Sequence, residues 1–197
     1  MRTFTRLAGL TDIPEYWARI EAASGRLAFD VGANIGQASK VLAQHFERVI
    51  AFEPCAETAA VLAGAVPANV TVMDVAVSDL VGLVDLDESA GAIGYGMLTS
   101  GGHPRWGVTL GRRTVPALSL DAAVRRFGRP DLVKVDTEGH ELPVLEGARN
   151  LIRYGRTVWL LELHDDLEEK VRAYFGGYQI TRFDHQPDLY YLEVIPS

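Results

Sequence analysis

Residues 29–36, Phe29-Asp30-Val31-Gly32-Ala33-Asn34-Ile35-Gly36, constrain the fold of this chain more than any other stretch. They read as a buried strand that runs into a glycine loop and opens a helix. Asp30 stands at the strand's end. Gly32 and Gly36 lack the Cβ atoms that hold a ligand off the main chain. The helix start offers N–H groups to a carboxylate or phosphate. A second acid, Glu53, ends the next apolar run, Val49-Ile50-Ala51-Phe52, 23 residues after Asp30. An acid at that distance accepts hydrogen bonds from ribose hydroxyls in nucleotide-binding α/β folds.

Helical and strand signals alternate on either side of this loop. Asp12 and Pro14 start a helix with Ile13, Trp17, Ile20 and Ser24 on one stripe and Gly25 as its stop. Leu27–Val31 is the first strand, 35–46 a helix, Val49–Phe52 the second strand and 56–65 an alanine-rich helix. Residues 69–77 hold the third strand. Then the alternation breaks: 82–87 and 108–115 read as short strands separated by an aperiodic, glycine-rich stretch. Order resumes with Ser119 capping a short helix that Gly128 ends, a fourth strand at Leu132–Val135, and a helix from Glu141 to about Ile152. A fifth strand at 157–161, a helix at 165–175 and a hairpin of 178–183 with 189–195 complete the chain. Five βα units give an α/β fold with a mostly parallel, Rossmann-like sheet and helices on both faces. The hairpin adds an antiparallel edge, which all-parallel dehydrogenase sheets lack.

At 197 residues the chain is read as a single domain, with 1–26 as an N-terminal helical extension and 88–107 as a flexible acceptor loop. No run approaches the ~18 apolar residues of a membrane helix, and Met1–Gly9 lacks a continuous apolar segment, so neither membrane insertion nor a signal peptide is expected. One cysteine, Cys55, excludes an internal disulfide and any multi-cysteine metal site, which makes a reduced, cytoplasmic setting the expectation. The net charge of −7 counts against a nucleic-acid partner, because phosphate neutralisation needs clustered Lys and Arg.

Ligands in such sheets sit at the carboxyl ends of the strands. Four of the five main strands end in an acid, namely Asp30, Glu53, Asp74 and Asp136, and the fifth ends in Glu162-Leu163-His164. Any one of these is explained equally well as a helix cap or turn residue; together they converge on one crevice. The first loop has Gly32-x-x-x-Gly36, not the Gly-x-Gly-x-x-Gly of nicotinamide enzymes. With Asp30 before it and Glu53-Pro54 after it, that spacing points to S-adenosylmethionine, which carries no phosphate. Asp30 and the helix start would meet its amino-acid part, Glu53 the ribose, and Asp74 with Val75 and Ala76 the adenine. A second block, from Asp131 to Ala148, crowds Asp136, Glu138, His140 and Glu141 into one strand-to-helix turn. Acids favouring a helix dipole account for Glu138 and Glu141; Asp136 at the strand tip before Gly139 reads as a ligand-facing loop, and His140 as readily as a surface residue.

The ordered set Asp30-Val31-Gly32-Ala33-Asn34-Ile35-Gly36, Phe52-Glu53-Pro54, Ala76-Val77-Ser78-Asp79, Ser119-Leu120-Asp121, Lys134-Val135-Asp136-Thr137-Glu138-Gly139-His140-Glu141 and Leu161-Glu162-Leu163-His164 resembles the motifs of FkbM-type methyltransferases. The resemblance covers about residues 27–165, and the Lys-x-Asp-x-Glu-Gly-x-Glu turn is its most distinctive part. It implies a class I methyltransferase fold, S-adenosylmethionine as donor and O-methylation of a hydroxyl on a sugar or small natural product. It carries cofactor contacts onto Asp30, Gly32, Asn34, Gly36, Glu53 and Asp136; Ala33 and Pro54 beside them and Asp74, Val75 and Ala76 from the strand-end reading complete the expected cofactor-binding set.

The catalytic candidates are His164, Asp136 and Glu138. A base that removes the acceptor's proton adds about 10²–10⁴-fold, and histidine, with an unperturbed pKa near 6.5, is the first choice. No metal ligands are assigned, although acids and a histidine at the tips of strands four and five leave a divalent cation open as a variant. The acceptor is expected to be a small molecule or glycan; the stretch 89–107, with Tyr95, Met97, His103 and Trp106, reads either as a lid that contacts it or as a disordered connection. Two other classes are kept: a nicotinamide-binding oxidoreductase and a non-catalytic nucleotide-binding module.

Overall fold

The structure is a computed structural model that describes residues 14–89, 96–98, 109–164, 167–186 and 189–197. In chain order it opens with α1 (Pro14–Ala22), β1 (Gly25–Val31), α2 (Gln37–His45), β2 (Phe46–Phe52), α3 (Ala56–Ala65) and β3 (Val70–Met73). Four strands follow, with no helix between them among the described residues: β4 (Ala76–Val77), β5 (Gly82–Ser89), β6 (Gly96–Leu98) and β7 (Thr109–Leu118). Next come α4 (Leu120–Phe127), β8 (Leu132–Val135), α5 (Glu141–Glu146), α6 (Arg149–Arg153) and β9 (Val158–His164). The chain closes with α7 (Glu168–Arg172), β10 (Tyr178–Gln186) and β11 (Leu189–Pro196).

Seven strands form one sheet in the order β10-β11-β9-β8-β1-β2-β3. Its six pairings divide by direction: the four within β9-β8-β1-β2-β3 are parallel, and β11 runs antiparallel to both β9 and β10. The strand order reverses between β1 and β8, so the carboxyl ends of β1, β2, β8 and β9 open onto one crevice. β8 is buried along its whole length and β1 along its last five residues, which is why their sequences read as continuous rather than alternating apolar runs. Alternation survives in the packing. Trp159 and Leu161 join the face covered by α4 to α7, with Leu120, Leu145, Ile152 and Val171. Leu160 points the other way, into the cluster of Tyr16, Ile20 and Leu42 from α1 and α2.

The departures from the sequence reading have local causes. The third strand is two. β3 stays in the main sheet, whereas β4 pairs with β7 in a separate four-stranded sheet ordered β4-β7-β5-β6. The helix expected from 141 to 152 is broken at Gly147, where a Cβ would stand 2.1 Å from the Ser78 carbonyl oxygen; α5 and α6 meet over that contact. On α1 the buried residues are Tyr16 and Ile20; of the expected stripe, Ile20 is buried, Trp17 half-buried and Ser24 exposed, Ile13 lies outside the described residues, and Gly25 starts β1 instead of ending the helix. The fifth strand extends through Glu162 and His164. Most of the acceptor loop at 88–107, including Tyr95, His103 and Trp106, and residues 1–13 of the N-terminal extension lie outside the described residues. No helix among the described residues is long and apolar enough to cross a membrane.

Candidate active site

Buried charge organises the crevice from below. Lys134, in the middle of β8, is 5% exposed and sits between two acids. Its Nζ lies 3.3 Å from Asp30 Oδ1 and 3.1 Å from Asp136 Oδ2, and it donates to the Gly32 carbonyl at 3.0 Å. Burial alone pushes a lysine down, but Asp136 and Asp30 hold this one above the usual lysine range. Asp30 has no exposed surface, and its second oxygen accepts from the Ser39 hydroxyl at 2.6 Å. In this arrangement Asp30 ties β1 to β8 and α2 from beneath the glycine loop.

The glycine loop itself has a different reason for its glycines from the one read in the sequence. Gly32 and Gly36 have φ of 73° and 87°, the left-handed region that glycine enters without strain. The space beside each is filled by protein, not open to a ligand. A Cβ on Gly32 would stand 1.7 Å from the Asp136 carbonyl oxygen, and one on Gly36 would stand 2.4 Å from Leu62 Cδ1. Gly32 is therefore what lets the loop after β1 press against the loop after β8. Gly32 and Ala33 N–H groups donate to the Phe52 carbonyl at 3.1 and 3.0 Å. Gly36 caps α2 with no side-chain hydrogen bond to its first turn, so no side chain competes with a ligand for that helix start.

Glu53 joins the loops after β1 and β2. Its Oε2 accepts from the Asn34 N–H at 3.0 Å and its Oε1 from the Cys55 N–H at 2.9 Å, and Pro54 between Glu53 and Cys55 is half-buried. Each carboxylate oxygen retains a further lone pair for a ligand. Burial pushes Glu53 up to about 7, against the pull of those two N–H donors and Lys134. At the end of β3, Asp74 is exposed, Val75 half-buried and Ala76 buried, a polar-to-apolar gradient along one wall.

The loop after β8 is held by Glu141. This side chain is fully buried, and its Oε1 accepts from the Thr137 N–H at 3.2 Å, the Thr137 hydroxyl at 3.0 Å and the Gly139 N–H at 2.9 Å. The loop so held places Glu138 at φ 54°, outside any helix, so the dipole explanation does not apply to it; it stands for Glu141, the acid in the first turn of α5. His140 is 2% exposed, with Nε2 2.9 Å from the Ser78 hydroxyl, and burial lowers it to about 4. It is a structural link between the loop and β4, not a surface residue.

Around the tips of β8 and β9 stand Asp136, Glu138, Glu162 and His164. His164 Nε2 lies 3.5 Å from Glu138 Oε2 and 3.7 Å from Glu162 Oε1. Burial, Asp136 and Glu138 raise Glu162 to about 9, and burial with Glu138 raises Asp136 despite Lys134 beside it. Tyr191, paired with Glu162 across β9 and β11, has its hydroxyl on that carboxylate and is raised by burial and by Glu162. Tyr16 of α1 lies against Tyr191 with ring centroids 4.1 Å apart, and its buried hydroxyl is raised by burial, Asp136, Glu162 and Asp30. Sequence reading missed Lys134, Ser39, Tyr16 and Tyr191 as site residues. A lysine inside a four-residue apolar strand was the available signal for the first.

A parallel sheet with a reversed strand order and an antiparallel final hairpin, its acids gathered at the carboxyl edge, is the class I methyltransferase fold. The chain matches the family model described as the methyltransferase FkbM domain over residues 30–186, and belongs to that family. That membership removes the oxidoreductase reading. Among relatives, it is 30% identical over 155 residues to the hexuronic acid methyltransferase AglP of Haloferax volcanii, a match covering 76% of this chain and 61% of that protein. Two solved structures share the fold. One is a methyltransferase FkbM from Methylobacillus flagellatus, with TM-score 0.59 and 20% identity, over 87% of this chain and 43% of that one. The other is Aeropyrum pernix fibrillarin with natively bound S-adenosyl-L-methionine, with TM-score 0.55 and 12% identity, over 89% of this chain and 68% of that one.

Proposed function

We propose that the chain transfers a methyl group from S-adenosylmethionine to a hydroxyl of a sugar or small natural product. The observation that carries this reading is the crevice at the ends of β1, β2, β8 and β9, whose acids fall inside the segment matching the methyltransferase family. The residues present fit the donor. The start of α2, uncapped by any side chain, faces its carboxylate; Glu53 keeps lone pairs for two ribose hydroxyls; and Asp74, Val75 and Ala76 offer an acceptor and an apolar wall to the adenine. Gly32, Ala33, Asn34 and Gly36 shape the loop that supports it, while Asp30 acts through Lys134 and Ser39. The sugar-type acceptor is supported by the name of the Haloferax volcanii relative, of which this chain spans 61%.

The bound donor supplies a sulfonium-borne methyl group: the acceptor oxygen forms the new C–O bond as the C–S bond breaks, sulfur keeping the electron pair. The protein's part is to orient and to handle a proton. Alignment of two reactants can supply roughly 7–11 kcal/mol of such a barrier. The acceptor's hydroxyl proton is released at Asp136, Glu138, Glu162 and His164, the polar groups next to the donor half of the crevice. His164→Ala lowers turnover while leaving donor affinity nearly intact; equal losses in both would reassign it to binding. Mass spectrometry of hexuronic-acid glycans and hydroxylated natural products incubated with isotope-labelled donor tests the reading. Binding of donor without transfer to any acceptor would favour the non-catalytic module.

A further inference from the structure

The ends of β8 and β9 carry more negative charge than the described residues neutralise. Lys134 pairs with Asp30 and Asp136, on the side towards β1. Glu138 and Glu162 lie beyond it, and one oxygen each of Asp136, Glu138 and Glu162 falls within 4.8 Å of the others. Three carboxylates so close repel one another unless a cation or protons stand between them. An acidic cluster alone occurs on many proteins, so the fourth group decides the matter. His164 is 4% exposed, its Nε2 points at Glu138 Oε2 and Glu162 Oε1, and that nitrogen makes no hydrogen bond among the described residues. A buried imidazole nitrogen without a partner forfeits its hydration for nothing unless a ligand completes it. Glu138 Oε2, which faces it, is likewise buried and without a hydrogen bond among the described residues.

We propose that Asp136, Glu138, Glu162 and His164 form a binding site for one divalent cation of the Mg²⁺ and Mn²⁺ class. Three carboxylate oxygens and one imidazole nitrogen form a donor set for a hard ion that tolerates nitrogen, which favours Mn²⁺ or Mg²⁺ over Ca²⁺. Ligand atoms at about 2.1 Å from such an ion stand about 3 Å apart when adjacent and about 4.2 Å when opposite. The gaps to His164, 3.5 and 3.7 Å, close by side-chain shifts of a few tenths of an ångström, and those among the acids, up to 4.8 Å, by movements of up to about 1–2 Å. Side-chain exposures of 28% for Asp136, 22% for Glu138 and 17% for Glu162 leave an entry path and room for water or an acceptor oxygen. The ion pair with Lys134 fixes the Asp136 carboxylate beside the cluster.

The role of the ion, though not its binding, rests on the methyltransferase reading. It would hold the acceptor's hydroxyl oxygen at the crevice and lower its pKa, so that the O–H bond breaks with the proton passing to water and the electron pair staying on oxygen. His164 is then a ligand, not the base. Any hydroxyl acceptor with a neighbouring oxygen, as on a sugar ring, suits two open positions on one ion.

The test is titration of the metal-free protein with Mn²⁺ alone, followed by calorimetry and electron spin resonance, in the absence of donor. One saturable site is expected, with electron spin-echo modulation from a directly bound imidazole nitrogen. Glu138→Gln and Glu162→Gln should each weaken it by at least about tenfold, the lower bound even for groups one shell further out, and His164→Ala should remove the nitrogen signal. Thermal melting of each variant separates loss of ligand from loss of fold. No Mn²⁺ bound by folded wild type, an affinity indifferent to Glu138→Gln, or a signal that persists in His164→Ala would each overturn the site. Donor binding in EDTA is scored separately: donor bound with no Mn²⁺ bound leaves the methyltransferase reading standing without the ion, and the reverse result leaves the ion site standing without that reading.

Discussion

The two halves of the crevice handle their acids in opposite ways. At the ends of β1 and β2, both carboxylates are engaged by the protein itself: Asp30 by Ser39 and Lys134, Glu53 by two backbone N–H groups. At the ends of β8 and β9, Glu141 holds the loop that carries Glu138 and Tyr191 bonds Glu162, while His164 Nε2 stands 3.5 and 3.7 Å from those two acids without a hydrogen bond among the described residues. The first half is pre-organised, which lowers the ordering cost of binding a donor. The second is poised for something that brings positive charge.

The comparison is broken most severely at Lys134, which belongs to both halves. Lys134→Met leaves Asp30 fully buried without its cation and should lower stability by about 3–5 kcal/mol, the usual result of removing one partner of a buried pair. Urea unfolding measures it, and a loss under 1 kcal/mol would show that the two halves are not held together through this residue. Next in size is Glu53→Ala. Two hydrogen bonds to a charged group at about 1.5–3 kcal/mol each predict at least about a hundredfold weaker donor binding, with turnover at saturating donor changed far less.

The pH dependence of the donor half sharpens the same point. Glu53 is raised to about 7 from an unfolded value near 4.5. Between those values the folded chain holds a proton that the unfolded chain has released, so Glu53's contribution to stability falls as pH rises through that window. Donor affinity should move the other way, because the ionised carboxylate is the better acceptor for ribose hydroxyls, rising by up to about tenfold from pH 6 to pH 8. Glu53→Gln should flatten both profiles; a wild-type affinity flat across that range would contradict the ribose assignment. The smallest effect is expected at His140, outside both halves. His140→Ala should cost about 1 kcal/mol through the lost contact to Ser78 without changing donor affinity.

Much of the frame was legible because burial on two faces leaves a plain mark. β8 was readable to the residue, as a short apolar run bounded by turn residues, and α4 through its Ser119 cap and Gly128 stop. The acids of the crevice were legible for a topological reason: parallel strands put all their carboxyl ends on one edge. What could not be read was set by contacts between distant segments. Gly147 breaks a helix only because Ser78 stands against it, and Gly32 is glycine because of Asp136 rather than a ligand. Val75 marks a change of sheet that no local pattern announces. Tyr16 sits one position before the more conspicuous Trp17, and only the packing against Tyr191 reveals which of the two faces the site.

The central claim is that the β1 and β2 half of this crevice binds an adenosyl donor through Glu53. Calorimetric titration of the metal-free wild-type protein with S-adenosylmethionine tests it most directly. The account predicts one saturable site whose heat disappears in Glu53→Ala while that variant still melts as a folded protein. Wild-type protein that gives no binding heat at millimolar donor, or a Glu53→Ala variant that binds as well as wild type, would contradict it.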